Sequence, residues 1–270
     1  MQAFRRWLRT PKGIFALMLL ACTVPAASVA GWRLVTPGLV AAILTAGALD
    51  APLLRWRRGK WTLPDGALLT GWLVALVLSP HEPWTHAAMT AALAIGAKHL
   101  WHAGRANVLN PAAAGLVVSY HLLDTGQSWW GALPELSAWW IALLLALGAI
   151  MAQRLHKSVA ALVFLGAWFA CATVFAYVGD PVAVVEIFRA PDLHAALFFA
   201  AFMLTDPPTS PPKPRDQVVF SLITAGVAFA VLMLVGAAYF LLAGVLAANA
   251  WEGWRKHRLR RAHPPATRTS

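Results

Sequence analysis

The residues best placed to do chemistry in this chain fall in short polar stretches set between long apolar runs. The densest is Thr205-Asp206-Pro207-Pro208-Thr209-Ser210-Pro211-Pro212-Lys213-Pro214-Arg215-Asp216. Its prolines forbid a helix, because each removes a backbone donor and restricts the residue before it. What is left is a stiff loop rich in hydroxyls, suited to holding a polar ligand or closing a re-entrant turn. A second stretch runs from Asn107 to Gly115, with Asn110 as helix cap and Pro111 in the first helical position. Its run of small residues lets something pack closely. Lys98, His99, His102 and Arg105 lie just before it and could pair with a phosphate, although a basic membrane face explains the same charges. A third, Asp65-Gly66-Ala67-Leu68-Leu69-Thr70-Gly71, places an acid where a helix dipole favours one and a hydroxyl one turn further in. A capped helix with a small packing face accounts for it equally well.

Other chemistries find less support. Two axial imidazoles for a haem must face each other from different helices. His86 and His99 lie 13 residues apart on one span, and no other helix carries a matching pair, so haem is not expected. Cys22 and Cys171 are lone residues in apolar runs and read as buried small hydrophobes, not metal ligands. The eleven carboxylates sit at span ends or in loops, which argues against a pump with its own mid-membrane acidic relay. No P-loop, dinucleotide fingerprint or Ser-His-Asp arrangement occurs, and no residue is assigned a catalytic role.

The elements that must position these stretches follow from composition. The 270 residues are 59% hydrophobic and 12% charged, with a mean hydropathy of +0.62. Ordinary soluble domains are roughly 45–50% apolar and about 25% charged. Soluble and disordered chains are excluded, and the +11 net charge does not signal nucleic acid, which needs a basic surface on a soluble core. The expected class is an all-α polytopic membrane protein in a lipid bilayer. Apolar runs and their punctuation give ten candidate spans: Ile14–Gly31, Gly38–Leu54, Gly66–Ser79, Thr85–Leu100, Leu109–Leu123, Ser137–Met151, Val159–Val178, Leu193–Leu204, Gln217–Val235 and Tyr239–Trp251. Short ones among them suit discontinuous helices covered by protein.

With both termini in the cytoplasm, all but Arg33 and Arg189 of the 22 basic residues fall inside. A bacterial inner membrane is the expected location. Residues 1–30 also fit a cleavable signal peptide, but their apolar run is long enough to span and ten spans suit an internal repeat. Pro64-Asp65 and Pro191-Asp192 are the only Pro-Asp pairs, and each precedes an apolar helix ending 16 residues on, at Pro80 and Pro207. They open spans three and eight, equivalent positions in two five-span halves. Halves of odd span number must run oppositely through the membrane. The chain thus divides into a basic N-terminus (1–13), a first repeat (14–123), an extracytoplasmic connector (124–136), a second repeat (137–251) and a basic tail (252–270).

Taken together, Asp65-Gly66 with Thr70-Gly71, Asn110-Pro111-Ala112-Ala113, and Thr205-Asp206-Pro207 with Thr209-Ser210-Pro211 resemble one family along nearly the whole chain. This is the NqrB/RnfD family: the B subunit of the Na+-translocating NADH:quinone oxidoreductase and the D subunit of the Rnf electron-transport complex. Asn249 also fits the family's final helix. The resemblance implies ten spans in two inverted repeats, distantly similar to urea transporters, and membership of a membrane redox complex. It further implies flavin: FMN linked to a Thr in a Ser-Gly-Ala-Thr motif, and in some members a noncovalent riboflavin. Ser-Gly-Ala-Thr is absent, and Asp124–Pro134 offers no convincing substitute, so covalent FMN is not expected.

The resulting expectation is an electron-transport subunit relaying electrons with partner redox proteins and binding FMN or riboflavin noncovalently. Thr70, Asn110, Thr205, Asp206, Thr209 and Ser210 would form the wall, with Lys98 and Arg105 as phosphate partners. The alternative is a transporter or channel for a small polar solute, flavin included. A plain membrane anchor is a third.

Overall fold

The computed structural model of the chain describes Trp7 and residues 10–103, 106–179 and 181–262. Among the described residues, ten helices of eleven residues or more carry the fold. They are α1 (Pro11–Ala30), α2 (Trp32–Arg58), α3 (Asp65–Val77), α4 (Trp84–Leu100), α5 (Pro111–Leu123), α6 (Trp139–Arg154), α7 (Ser158–Val178), α8 (Asp192–Phe202), α9 (Pro214–Val235) and α10 (Phe240–Ala262). Short helical turns lie at Trp130–Ala132 and Pro181–Phe188, and a two-residue ladder pairs His102–Ala103 with Ala106–Asn107. The architecture is all-helical. By length and composition, α1, α2, α7 and α9 can each cross a membrane, and α3, α5, α6 and α8 are shorter apolar helices.

Each expected span coincides with one of these helices, with shifted ends. α2 begins at Trp32, not Gly38, because Pro37 lies inside the helix and only interrupts its bonding. One missing backbone bond does not end a helix whose alternative is bare backbone in hydrocarbon. α10 continues to Ala262, so the start of the expected tail is helical. Glu252 fixes this extension by pairing with Arg255 at 2.7 Å and Lys256 at 3.3 Å, one turn on.

Packing is close because small residues face each other. α2 lies on α3 and α4, α4 lies on α5, α7 lies on α9, and α9 lies on α10. A Cβ added at Gly71 of α3 would meet the Ala42 carbonyl of α2 at 2.5 Å. One at Gly115 of α5 would meet the Thr90 carbonyl of α4 at 2.8 Å, and one at Gly244 of α10 would press on the Thr224 carbonyl of α9. The α4–α5 and α9–α10 seams thus share one device, a glycine seated on a threonine carbonyl.

The connector 124–136 is more than a surface loop. Thr125, Trp129, Trp130, Ala132 and Leu133 are buried. α3 stops at Val77, and the chain that follows is extended and pairs with the connector: Ser79 N donates to Gly126 O, and Ser128 N and Trp129 N donate to Val77 O. The Trp130 indole donates to Ala75 O at 2.6 Å, and His194 Nδ1 of α8 sits 2.9 Å from Ala132 O. The connector therefore covers the broken end of α3 and fastens it to α8.

Candidate functional site

α8 ends at Phe202, and residues 203–213 turn back toward α9 through the proline-rich loop. Pro207, Pro208, Pro211, Pro212 and Pro214 have carbonyls but no N–H, so this segment has more acceptors than donors. Buried acceptors need partners from elsewhere. Three side chains supply them. Lys157, between α6 and α7, donates to Ser210 O at 3.2 Å and Pro211 O at 2.5 Å. Gln217 of α9 donates to Pro212 O at 3.3 Å and His156 O at 2.9 Å, and its own carbonyl accepts from Ala160 N at 3.2 Å. Asn249 of α10 donates to Thr209 O at 3.2 Å.

The loop's own side chains close it locally. Asp206 Oδ2 accepts from the Thr209 hydroxyl at 2.9 Å, the Ser210 hydroxyl donates to Asp206 O at 2.7 Å, and Thr205 donates back to Ala201 O at 2.8 Å. Asn110 caps α5 by accepting from Ala113 N, as its position before Pro111 predicts. The rest of its polar atoms reach across the chain. Asn110 N donates to Asn249 Oδ1 at 2.8 Å, and its amide donates to Met203 O at 3.3 Å. One buried network therefore joins α5 of the first half to α8, α10 and the proline loop of the second.

Charge is handled by burial and pairing. Burial pushes the Asp206 carboxyl up to about 6, against the pull of the Thr209 hydroxyl and the Lys157 ammonium. Burial, with Lys256, lowers Lys157 to about 8, while Asp206 and Glu252 act in the other direction. Arg255 ties the periphery together, reaching Asp216 of α9 at 2.9 Å and Glu252 at 2.7 Å.

Of the residues singled out from sequence, Asn110, Thr205, Asp206, Thr209 and Ser210 come together here. Thr70 does not: its hydroxyl donates to Gly66 O within α3. Nor does Lys98, which with His99 holds Asp50 of α2, at 2.8 and 2.7 Å from the same carboxylate oxygen. Arg105 lies outside the described residues. Asp65 binds Lys12 at 2.7 Å and accepts from Gly66 N. Lys157 and Gln217 were not singled out, and Asn249 was noted only through the family's final helix. The loop's donor deficit is the signal that would have found them.

The sequence profile of the NQR2, RnfD, RnfE family matches residues 8–130 and residues 121–252. The chain belongs to this family. No curated protein matches it. Family and apolar helices together make it a multi-pass membrane protein. This buried network is a latch between the two parts of the chain, and its donors are engaged within it. The hydroxyls of Thr205, Thr209 and Ser210 and the amide of Asn110 already donate within the chain. Lys98, the expected phosphate partner, is neutralised by Asp50. A cavity between α1 and the connector, beside Trp130 and Glu135, has a volume of about 10 Å3, room for about one water and far below the roughly 300–1,000 Å3 of a small-molecule pocket.

Proposed function

We propose that this chain is a membrane subunit of an Nqr/Rnf-type electron-transport complex, built as two inverted five-helix halves with both termini in the cytoplasm of a bacterial cell. The single observation that carries this reading is the family match along residues 8–252. Support for the inverted halves comes from the matching glycine seams of α4–α5 and α9–α10, and from helices α3 and α8 that stop short at equivalent places. In this reading the basic ends of the helices face the cytoplasm, and the buried network from Asn110 to Asn249 locks the two halves together there.

The chain's own contribution is then a rigid body that holds partner redox subunits at a fixed separation across the bilayer. A flavin carried noncovalently would supply one-electron and two-electron chemistry. Because the donors of the latch are engaged within the chain, this reading assigns the flavin to surfaces shared with partner subunits. The test is to isolate the tagged full chain from its native membrane in mild detergent and record absorbance and fluorescence. Flavin together with co-purifying redox subunits, reducible by the complex's electron donor, is the expected result. A chain that isolates alone and without flavin, yet drives solute uptake into proteoliposomes, would replace this reading with the transporter one.

A further inference from the structure

The Lys157 ammonium is the least expected group in the molecule. It is 4% exposed and stands at the N-terminal end of α7, where the helix dipole repels a positive charge. Burial and dipole both oppose it, and the groups around it offset them only in part. Its surroundings are oxygens. The Ser210 and Pro211 carbonyls accept from it at 3.2 and 2.5 Å, and the Asp206 and Glu252 carboxylates attract it through space. Among the described residues, Lys256 is the neighbouring cation that acts against it. Ser210 and Pro211 both precede a proline, so neither of these peptide units carries an N–H beside its carbonyl. The prolines also hold both carbonyls rigidly. Rigid carbonyls with a nearby carboxylate are the ligand set that replaces the hydration shell of a hard cation.

We propose that the carbonyl nest of Ser210 and Pro211 is a monovalent-cation site whose cation is built into the chain as the Lys157 ammonium. The tether keeps the site filled while Lys157 is protonated, so the proline loop keeps its shape without a free alkali cation. Removing the ammonium exposes a negatively charged, carbonyl-lined space that takes a free alkali cation. The inference stands on this geometry and does not depend on the electron-transport reading.

The experiment compares thermal unfolding of the purified full chain in sodium, potassium and choline chloride at one total ionic strength. Wild type unfolds at the same temperature in all three. Lys157→Ala unfolds earlier in choline, and sodium or potassium restores roughly 2–4 °C or more, the shift expected per kcal/mol for a chain of this size. Lys157→Met, which fills the space without charge, shows the loss and no restoration. Should Lys157→Ala fail to fold in every salt, Lys157→Gln takes its place with the same expected restoration. Two results overturn the proposal: an alkali-specific shift in wild type equal to that of the variant, or no restoration in either Lys157→Ala or Lys157→Gln.

Discussion

Asn249 gives the sharpest test of the latch between the halves. Its side chain is fully buried and makes two bonds that cross the chain: Oδ1 accepts from Asn110 N at 2.8 Å, and Nδ2 donates to Thr209 O at 3.2 Å. Replacing it with leucine, of similar volume, strands one buried donor and one buried acceptor and leaves no room for water. A stranded buried polar group costs about 1–3 kcal/mol, and the two losses share one site, so the combined effect is about 2–4 kcal/mol. That corresponds to a roughly 30- to 700-fold fall in the folding equilibrium constant. Asn249→Ala opens space for a bridging water and falls at the lower end. Thr173, an exposed hydroxyl bonded only to Phe169 O of its own helix, is the control, and Thr173→Ala leaves stability within about 0.5 kcal/mol. The assay is reversible unfolding in mixed micelles of rising sodium dodecyl sulfate content, followed by tryptophan fluorescence. An Asn249→Leu variant as stable as Thr173→Ala would refute the claim that this network holds the halves together.

Three further outcomes follow from the same structure. The folded protein binds the Asp206 proton more tightly than the unfolded chain between the ordinary value of 3.8 and about 6. This group's contribution to stability is therefore complete below the lower value and lost as pH rises through the upper one. Asp206→Asn removes that slope, and parallel pH profiles for variant and wild type would contradict it. Gly115→Ala and Gly244→Ala each drive a methyl into a threonine carbonyl and cost about 1–3 kcal/mol. Gly226→Ala meets nothing and is neutral or stabilising by up to about 1 kcal/mol, as unfolding curves of the three will show. Asp50 is fully buried against Lys98 and His99, so Asp50→Asn costs about 3 kcal/mol by leaving the Lys98 ammonium unmatched. A double-mutant cycle with Lys98→Met should recover part of that loss, and strict additivity would deny the pairing.

The helix plan was legible in the sequence because apolar length and punctuation both report it. Asn110-Pro111 starts α5, Pro191-Asp192 stands at the start of α8, and Gly236 ends α9. Pro37 misled, since proline signals a break while hydrocarbon forbids leaving the backbone bare. The inward fold of the connector was hidden: Trp129 and Trp130 sit in a run with no helical or strand period, and only the unpaired end of α3 calls them inside. At the site, the loop's prolines and hydroxyls were visible but their partners were not. Lys157 looks like one more inside charge, and Gln217 like the polar edge of a span. Spacing says little about bonds that cross 139 residues, as that from Asn110 to Asn249 does. The same reading overvalued Lys98 and Thr70, whose partners lie on α2 and within α3.

The proposed opposed orientation of the two halves is the central structural claim of the functional reading, and thiol labelling tests it most directly. Cys22 and Cys171 are replaced by alanine, and single cysteines are placed at the exposed positions His81, after α3, and Lys213, after α8. Intact cells are then treated with a membrane-impermeant maleimide. Inverted halves predict labelling at position 81 and protection at 213 until the cells are opened. Equal labelling of both positions in intact cells would contradict the inverted plan and the account built on it.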